Sequence, residues 1–337
     1  METQEITAAE APAHPRLREN IWHIRASSDA ALLITSDSRF EVGTEDALRF
    51  LKMRSHCTGF HSVEEIAQRS GLALDDVRSI LASLEEAGVV FSSPAERADL
   101  DRVRAALLSI CKIWSDELRL AYIGNEFRHG SLPKTALTGW LCEMYHYISD
   151  FPLAIEHGAR RAEGRLKDVL VRYAQQEKHH DEFVVRTLEN LGLKRDEVKG
   201  SAPLVSTRAI GLLMREMFEH EPCSVLLMAA LVEAQEFQEE HIAGFKQCMH
   251  ETYGAPLDAF DPFFEHQQID VGMGHAELLA DNIDLIDVTD MERLDGMVNR
   301  LHDLKHAFEL QSLEIRDYYT NLNGKYFPRQ RMRFSSL

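Results

Sequence analysis

The first third of the chain combines short apolar runs with helical periods. The apolar run Ala31–Ile34 predicts a strand. Ser62 followed by Glu65 has the spacing of a capping box, and Gly71 is placed to end that helix in a turn. Across Leu74–Ala87 apolar residues recur at i, i+3, i+4 and i+7, which predicts a second helix. Helix, tight turn, helix and a following β-prone run predict a small winged helix-turn-helix domain.

From about Asp99 onward the pattern is helical throughout. Long amphipathic runs are separated by breaks that contain Gly or Pro, among them 130–133, 192–203 and 254–256. Hairpin signals and alternating strand patterns are absent from this part of the sequence, so it predicts an all-α bundle of about seven helices. We therefore predict a mainly α protein with three regions: a flexible tail at 1–20, a winged-helix domain at 21–97 and a helical bundle at 98–337.

The net charge of the chain limits the classes of molecule that it is expected to bind. The 337 residues include 55 acidic and 37 basic side chains, for a net charge of −18. Such a surface repels the phosphates of nucleic acids and anionic membranes. The segment Ser62–Val90 carries six acidic and two basic side chains, which disfavours DNA binding by the winged helix. Packing or dimerisation, and docking of a peptide or a carrier-bound substrate, stay open as roles for this domain.

The cysteine pattern and the length of the apolar runs indicate the cellular compartment of the protein. Five scattered cysteines form no C-x-x-C pair, a pattern typical of reduced thiols rather than of a disulfide framework. The first residues lack the features of a signal peptide, and no apolar run reaches the length of a membrane span. We expect a cytoplasmic protein with no membrane partner.

Candidate chemistry begins with a Glu-x-x-His motif. Glu177 and His180 are three positions apart and so share one side of a helix. The apolar residues Leu170, Tyr173 and Val184 lie on the same stripe, which turns the pair toward the core. A metal-ligand pair is one interpretation. An exposed pair is the other, because this motif is common on surface helices.

A second motif lies in a later helix. His266 and Asp270 are at i and i+4, and burying them without partners would cost several kcal/mol. Either a metal or a mutual hydrogen bond would satisfy them. Glu143 and Glu236, with Glu233 one turn away, interrupt otherwise apolar helices. Each of these acids is a candidate ligand or, alternatively, a solvated side chain.

Together these residues form a mixed carboxylate and imidazole set. Such a set suits Fe(II) or Mn(II), whereas structural zinc prefers thiolate-rich sites. Two metals bridged by a glutamate would neutralise several buried acids at once. The candidate ligands are Glu143, Glu177, His180, Glu236, His266 and Asp270, with His275 as a further candidate.

The order and spacing of these motifs resemble the haem-oxygenase-like di-iron oxidases and oxygenases, relatives of the thiaminase-like and pyrroloquinoline-quinone synthase C-like proteins. The resemblance covers about 200 residues and departs from the family pattern at one point. The position three residues beyond Asp270 holds Met273, and the nearest histidine is His275. In a regular helix His275 would lie opposite His266. Either the helix unwinds near Gly274, or the second metal lacks a ligand.

The resemblance implies an enzyme that binds Fe(II), two ions per centre, with O2 as co-substrate. It implies N-oxygenation, C–C cleavage or decarboxylation of a small amino-acid-like or peptide- or carrier-tethered substrate in natural-product biosynthesis, and we expect a homodimer. The N-terminal segment resembles the pyrroloquinoline-quinone D-like domains, which implies a precursor peptide or carrier protein as partner. A metal-free cofactorless oxidase of the quinone-synthase type and a non-enzymatic peptide-binding or regulatory protein are the alternatives.

Overall fold

The computed structural model describes residues 14–18, 22–24, 30–34, 39–91, 100–233 and 239–337. It divides into two compact units, Met1–Ile113 and Trp114–Leu337. This division falls inside a long helix, whereas the sequence placed the boundary at 97/98, just before that helix begins.

The N-terminal unit is a small α+β structure. Its described elements are β1 (Arg16–Leu17), β2 (Trp22–Ile24), β3 (Ala30–Ile34), β4 (Arg39–Gly43), α1 (Thr44–Arg54), α2 (Val63–Ser70), α3 (Leu74–Glu86) and β5 (Val90–Phe91). Strands β2, β3 and β4 form an antiparallel sheet in that order, and β1 pairs antiparallel with β5.

The predicted helix-turn-helix is confirmed. The Glu65 N–H donates to the Ser62 hydroxyl oxygen at 3.3 Å, and the Ser62 N–H donates to the Glu65 carboxylate at 2.9 Å. Gly71 ends α2 with a φ of 69°, a left-handed conformation that favours glycine. The inner faces of α2 and α3 bury Ile66 and Leu81 completely. This apolar contact fixes the turn between the two helices.

Part of the predicted tail belongs to this unit. Leu17 pairs with Val90 in the β1–β5 ladder, and its backbone N–H donates to the Cys57 carbonyl at 3.1 Å. Its side chain lies in the unit's core, 6% exposed. Residues 14–18 are therefore structured instead of forming a flexible tail, because residues distant in sequence, around Cys57 and around Val90, supply their hydrogen bonds. Residues 1–13 and 19–20 lie outside the described part of the chain.

The second unit is a helical bundle, as predicted. Its elements, including the first helix that both units share, are α4 (Leu100–Ala121), α5 (Gly124–Arg128), α6 (Lys134–Ala159), α7 (Gly164–Gln176), α8 (Asp181–Asn190), α9 (Arg195–Gly200), α10 (Val205–His220), α11 (Ser224–Val232), α12 (Glu239–Tyr253), α13 (Asp261–Met273), α14 (Leu278–Asp281) and α15 (Met291–Thr320). Short 3-10 helices cover His275–Glu277, Ile283–Leu285 and Phe334–Ser336.

Helix α6 lies at the centre of the bundle. It packs against α7, α8, α10 and α15, and it buries Leu137, Leu141 and Ile155 completely. A helix that buries residues around most of its circumference belongs inside a bundle rather than on its surface. Helix α11 is also buried along most of its length. Within the described residues, no helix combines the length and the apolar character that a bilayer crossing requires.

Two helices are interrupted near the candidate chemical residues. The sequence predicts one helix through Glu177 and His180, but it is divided into α7 and α8. Helix α13 ends at Met273, before Gly274, which is one of the two possibilities that the sequence left open. Both interruptions lie beside the candidate chemical residues, and both change where those side chains point.

Candidate metal centre

The Glu-x-x-His motif lies at the break between α7 and α8. Glu177 is the C-terminal cap of α7, His180 is the N-terminal cap of α8, and His179 between them has a φ of 72°. The left-handed region is uncommon for a residue other than glycine. Although the helix is not continuous, the two buried side chains meet, with Glu177 Oε2 at 3.0 Å from His180 Nδ1.

Helix α13 supplies the second motif in a regular way. His266 and Asp270 share one face, with His266 Nε2 at 3.2 Å from Asp270 Oδ2. Because α13 packs against α8, His266 Nε2 also lies 3.0 Å from His180 Nδ1. The same His180 nitrogen is 3.3 Å from Asp270 Oδ1. We call Glu177, His180, His266 and Asp270 the His266 cluster.

His275 reaches the same region because α13 unwinds. Gly274 caps the helix with a φ of 71°, and the chain continues as a 3-10 helix that begins at His275. His275 is 1% exposed, and its Nδ1 lies 3.0 Å from Glu177 Oε1 and 3.6 Å from Asp270 Oδ1. Of the two outcomes left open, the structure has the unwound helix. Met273 is 42% exposed and belongs to neither group of candidate ligands.

Glu233 completes a second group. It caps the C-terminus of α11 in an extended conformation, and its Oε2 lies 3.9 Å from His275 Nδ1. Its Oε1 accepts a hydrogen bond from the Tyr173 hydroxyl. We call Glu177, Glu233, Asp270 and His275 the His275 cluster. Glu236, the alternative to Glu233 in the sequence, lies outside the described residues.

The two clusters share Glu177 and Asp270. Within each cluster the candidate ligand atoms lie within 4.8 Å of one another. A carboxylate has two oxygens and can contact two ions, so the shared acids are suited to bridging. The arrangement offers two candidate metal sites, with two candidate ligands common to both sites and four private ones that belong to one site only.

Three buried atoms at this centre make no hydrogen bond: Glu177 Oε1, Asp270 Oδ1 and His275 Nδ1. Leaving a buried polar atom unsatisfied costs about 1–3 kcal/mol. Bonds of about 2.1 Å at right angles around a metal place neighbouring ligand atoms about 3.0 Å apart. The separations of 3.0 Å and 3.3 Å around His180 Nδ1 match this spacing. The donor set therefore fits a first-row metal such as iron.

The carboxyl groups of the centre repel one another. Burial raises the pKa of Asp270 to about 8, and the neighbouring charges of Glu233 and Glu177 add to the rise. Burial, with the charge of Glu177, also raises the pKa of Glu233 to about 7. Each ionised form would gain from a nearby cation.

The pKa values of Glu177 and His266 shift in the opposite direction, whereas, despite burial, hydrogen bonds to Glu177 raise the pKa values of His180 and His275. Burial would raise the pKa of Glu177, but His180 and His275 outweigh it and lower this pKa to about 2. Burial, with repulsion from His180, lowers the pKa of His266 to about 4, so its imidazole is neutral near pH 7. A neutral imidazole is the form that binds metals.

The structure does not bring Glu143 to either cluster. Its side chain is fully buried, Oε1 accepts from the Tyr319 hydroxyl at 2.6 Å, and Oε2 accepts from the Leu204 N–H at 2.8 Å. Leu204 is the N-terminal cap of α10, where the helix dipole favours a negative charge. Glu143 thus has a capping role in this structure and does not belong to either cluster of candidate ligands.

Sequence reasoning gave Glu233 only as the alternative to Glu236, and it placed Tyr173 in the core without a contact to the candidate ligands. A signal for Glu233 existed, because it directly follows the nine residues of α11, most of which are buried. Tyr173 was placed on the core-facing stripe, but its contact with Glu233 joins residues 60 positions apart.

Comparisons with known proteins agree with this fold. Residues 138–299 match a family model described as iron-containing redox enzyme. A crystal structure from Shewanella denitrificans, of a domain of unknown function with a heme oxygenase-like fold, superposes with a TM-score of 0.52 at 16% identity, covering 70% of this chain and 99% of that one. Among curated proteins none is significantly similar in sequence. The helical unit is a haem-oxygenase-like bundle, and its residues 138–299 are similar in sequence to iron-containing redox enzymes.

Proposed function

We propose that this chain is an O2-dependent, non-haem di-iron oxidase or oxygenase. The observation that carries the proposal is the pair of clusters joined by Glu177 and Asp270, in which three buried side-chain atoms make no hydrogen bond. The family match supports an oxidoreductase at a coarser level. The proposed iron ligands are Glu177, His180, Glu233, His266, Asp270 and His275.

The chain's own residues have distinct roles in this proposal. Glu177 and Asp270 would each be a ligand to both ions, and the neutral imidazole of His266 would be a ligand to one of them. Buried packing around Tyr173 and Phe151 excludes water from one side of the centre. Bound iron would supply the electrons that reduce O2.

For the substrate we propose a small amino-acid-like molecule, free or tethered to a peptide or carrier protein. The N-terminal unit supports the tethered form. It contains a groove of about 570 Å³ lined by Arg16, Arg18, Arg54 and the exposed Phe60. In a chain with a net charge of −18, an arginine-lined groove with an aromatic edge is suited to an acidic peptide or carrier.

Iron uptake tests the proposed centre. Protein reconstituted anaerobically with Fe(II) should bind two ions per chain, measured by elemental analysis. It should then consume O2 on mixing with air-saturated buffer. Chelator-treated protein is the control and should do neither. Protein that takes up no iron would instead favour the metal-free oxidase or the non-enzymatic binding protein.

Charge reversal in the groove tests the docking proposal separately. The Arg54→Glu variant should weaken binding of a peptide or carrier encoded beside the gene by about 10-fold or more, measured by fluorescence anisotropy. Arg78→Glu, which changes an exposed charge on α3 outside the groove, is the matched control. Equal affinities for both variants would remove the groove from the proposal.

A further inference from the structure

Tyr173 occupies an unusual position beside the His275 cluster. It lies on α7, four residues before Glu177, and is 1% exposed. Its ring and the His275 imidazole form a T-shaped pair, with ring centroids 4.8 Å apart and an interplanar angle of 70°. Its hydroxyl donates to Glu233 Oε1. One side chain therefore touches both private ligands of the His275 cluster.

The orientation of the Glu233 carboxylate depends on the hydrogen bond from Tyr173. It stands at the end of α11, where the backbone has left the helix with a ψ of 147°. Within the described part of the chain, the Tyr173 hydroxyl is the one hydrogen-bond donor to its carboxylate. The hydrogen bond engages Oε1 and leaves Oε2 on the side of His275. The hydroxyl thus selects which oxygen faces the centre.

The His266 cluster has no such dependence. His266 and Asp270 are held one turn apart by the regular helix α13, and His180 is held between Glu177 and His266. The phenolic oxygen makes no hydrogen bond to any of these four side chains. Removing it should therefore affect one cluster and spare the other.

We infer that Tyr173 is a positioning residue that orients Glu233 and thereby controls metal occupancy of the His275 cluster alone. The inference rests on the proposed two-metal centre and adds a determinant outside its ligand set. Partners that orient a metal ligand typically change metal affinity by about 10- to 100-fold when they are removed. The second metal site is thus coupled to a hydroxyl on a different helix.

Titration of the full chain with Mn(II), monitored by the electron paramagnetic resonance of the free ion, tests the inference. Wild-type protein should bind two Mn(II), and the bound pair should give an exchange-coupled spectrum. Tyr173→Phe should bind the first Mn(II) as wild type does and the second about 10- to 100-fold more weakly. The coupled spectrum should then be absent at two equivalents of metal.

A matched control separates this effect from the loss of any buried hydroxyl. Tyr253 is 8% exposed, and its hydroxyl donates to the backbone carbonyls of Phe127 and Leu132 away from the centre. Tyr253→Phe should keep both affinities and the coupled spectrum. If Tyr253→Phe weakens the second site as much as Tyr173→Phe does, the inference is wrong.

A double-mutant cycle distinguishes orientation of Glu233 from simple packing. Glu233→Gln should weaken the second site, and adding Tyr173→Phe to that variant should cause little further loss. A full additional loss in the double variant would show that Tyr173 acts through packing and would overturn the inference. Should Tyr173→Phe fail to fold, 3-fluorotyrosine at position 173, a stronger donor, must change the second affinity and not the first.

The outcomes also separate this inference from the proposed function. If wild-type protein binds no metal, both fail. If wild-type protein and Tyr173→Phe each bind two Mn(II) with equal affinities, the two-metal centre stands and only the role of Tyr173 is refuted.

Discussion

The two clusters use the same bridging acids but depend on different kinds of local structure. In the His266 cluster, His266 and Asp270 are one turn apart on a regular helix, so their separation follows from helical geometry. In the His275 cluster, Glu233 follows the end of α11, and His275 follows the end of α13. The His266 cluster takes one of its two private ligands, His266, from a regular helix face and the other, His180, from a helix end, whereas both private ligands of the His275 cluster lie at or beyond helix ends.

This difference has a physical consequence. Ligands on a helix face keep their spacing as long as the helix persists. Ligands at helix ends depend on a cap, a turn and contacts with other helices, so each can be disturbed separately. We therefore expect the His275 cluster to be the more easily perturbed of the two.

The largest effect should come from a residue that both clusters share. Asp270→Ala removes one ligand from each cluster, and affinity for both metals should fall by more than about 100-fold. Metal content after reconstitution with Fe(II) and gel filtration measures this. Retention of two tightly bound ions would refute Asp270 as a bridge.

Replacing a histidine that belongs to only one cluster should remove the metal ion of that cluster and leave the other ion bound. His266→Ala should lose the ion of the His266 cluster and His275→Ala that of the His275 cluster, each keeping about one ion per chain. Elemental analysis gives the count, and Mn(II) resonance spectra show whether the remaining ions differ. Identical spectra from the two variants would contradict the existence of two distinct sites.

Acidification should weaken the His275 cluster more steeply than the His266 cluster. Without metal, Asp270 and Glu233 titrate at about 8 and 7, so below those values a metal must displace their protons. Each displaced proton lowers the apparent affinity about 10-fold per pH unit below the pKa. The His275 cluster contains both acids and the His266 cluster only Asp270. Mn(II) titrations from pH 8.5 to 6 measure the two slopes, and equal slopes would contradict this expectation.

Glu143→Gln tests whether a buried acid outside both clusters is a ligand. We expect two bound metals, as in wild type, because the Glu143 carboxylate contacts Tyr319 and Leu204 instead. The amide satisfies these donors less well, so the free energy of unfolding should fall by about 1–3 kcal/mol, measured in urea. Loss of one metal would restore Glu143 to the ligand set.

The smallest effect concerns the turn that presents His275. Gly274→Ala places a side chain at a φ of 71°, which costs about 1–2 kcal/mol. We expect the second metal to bind a few-fold more weakly and the first unchanged. Gly272→Ala is the control, since its new methyl group meets open space within a helix and should stabilise by up to about 1 kcal/mol. If the two variants bind both metals alike, the turn does not control the site.

Sequence patterns determined much of this protein. The capping box at Ser62, the period of α3 and the apolar helices of the bundle are local signals, and the structure contains the elements they predict. The same holds for the spacing of His266 and Asp270. These features follow from interactions between residues only a few positions apart.

Tertiary structure decided what remained. The clusters contain Glu233 and not Glu143. The Glu143 carboxylate binds the Leu204 N–H at the N-terminus of α10, whereas Tyr173 holds Glu233 beside His275. Tertiary structure also brought His275 to the centre by ending α13 at Gly274, one of the two possibilities that the sequence left open. Which acid becomes a ligand depends on the donors that distant helices bring to it, and this information is absent from any single stretch of sequence.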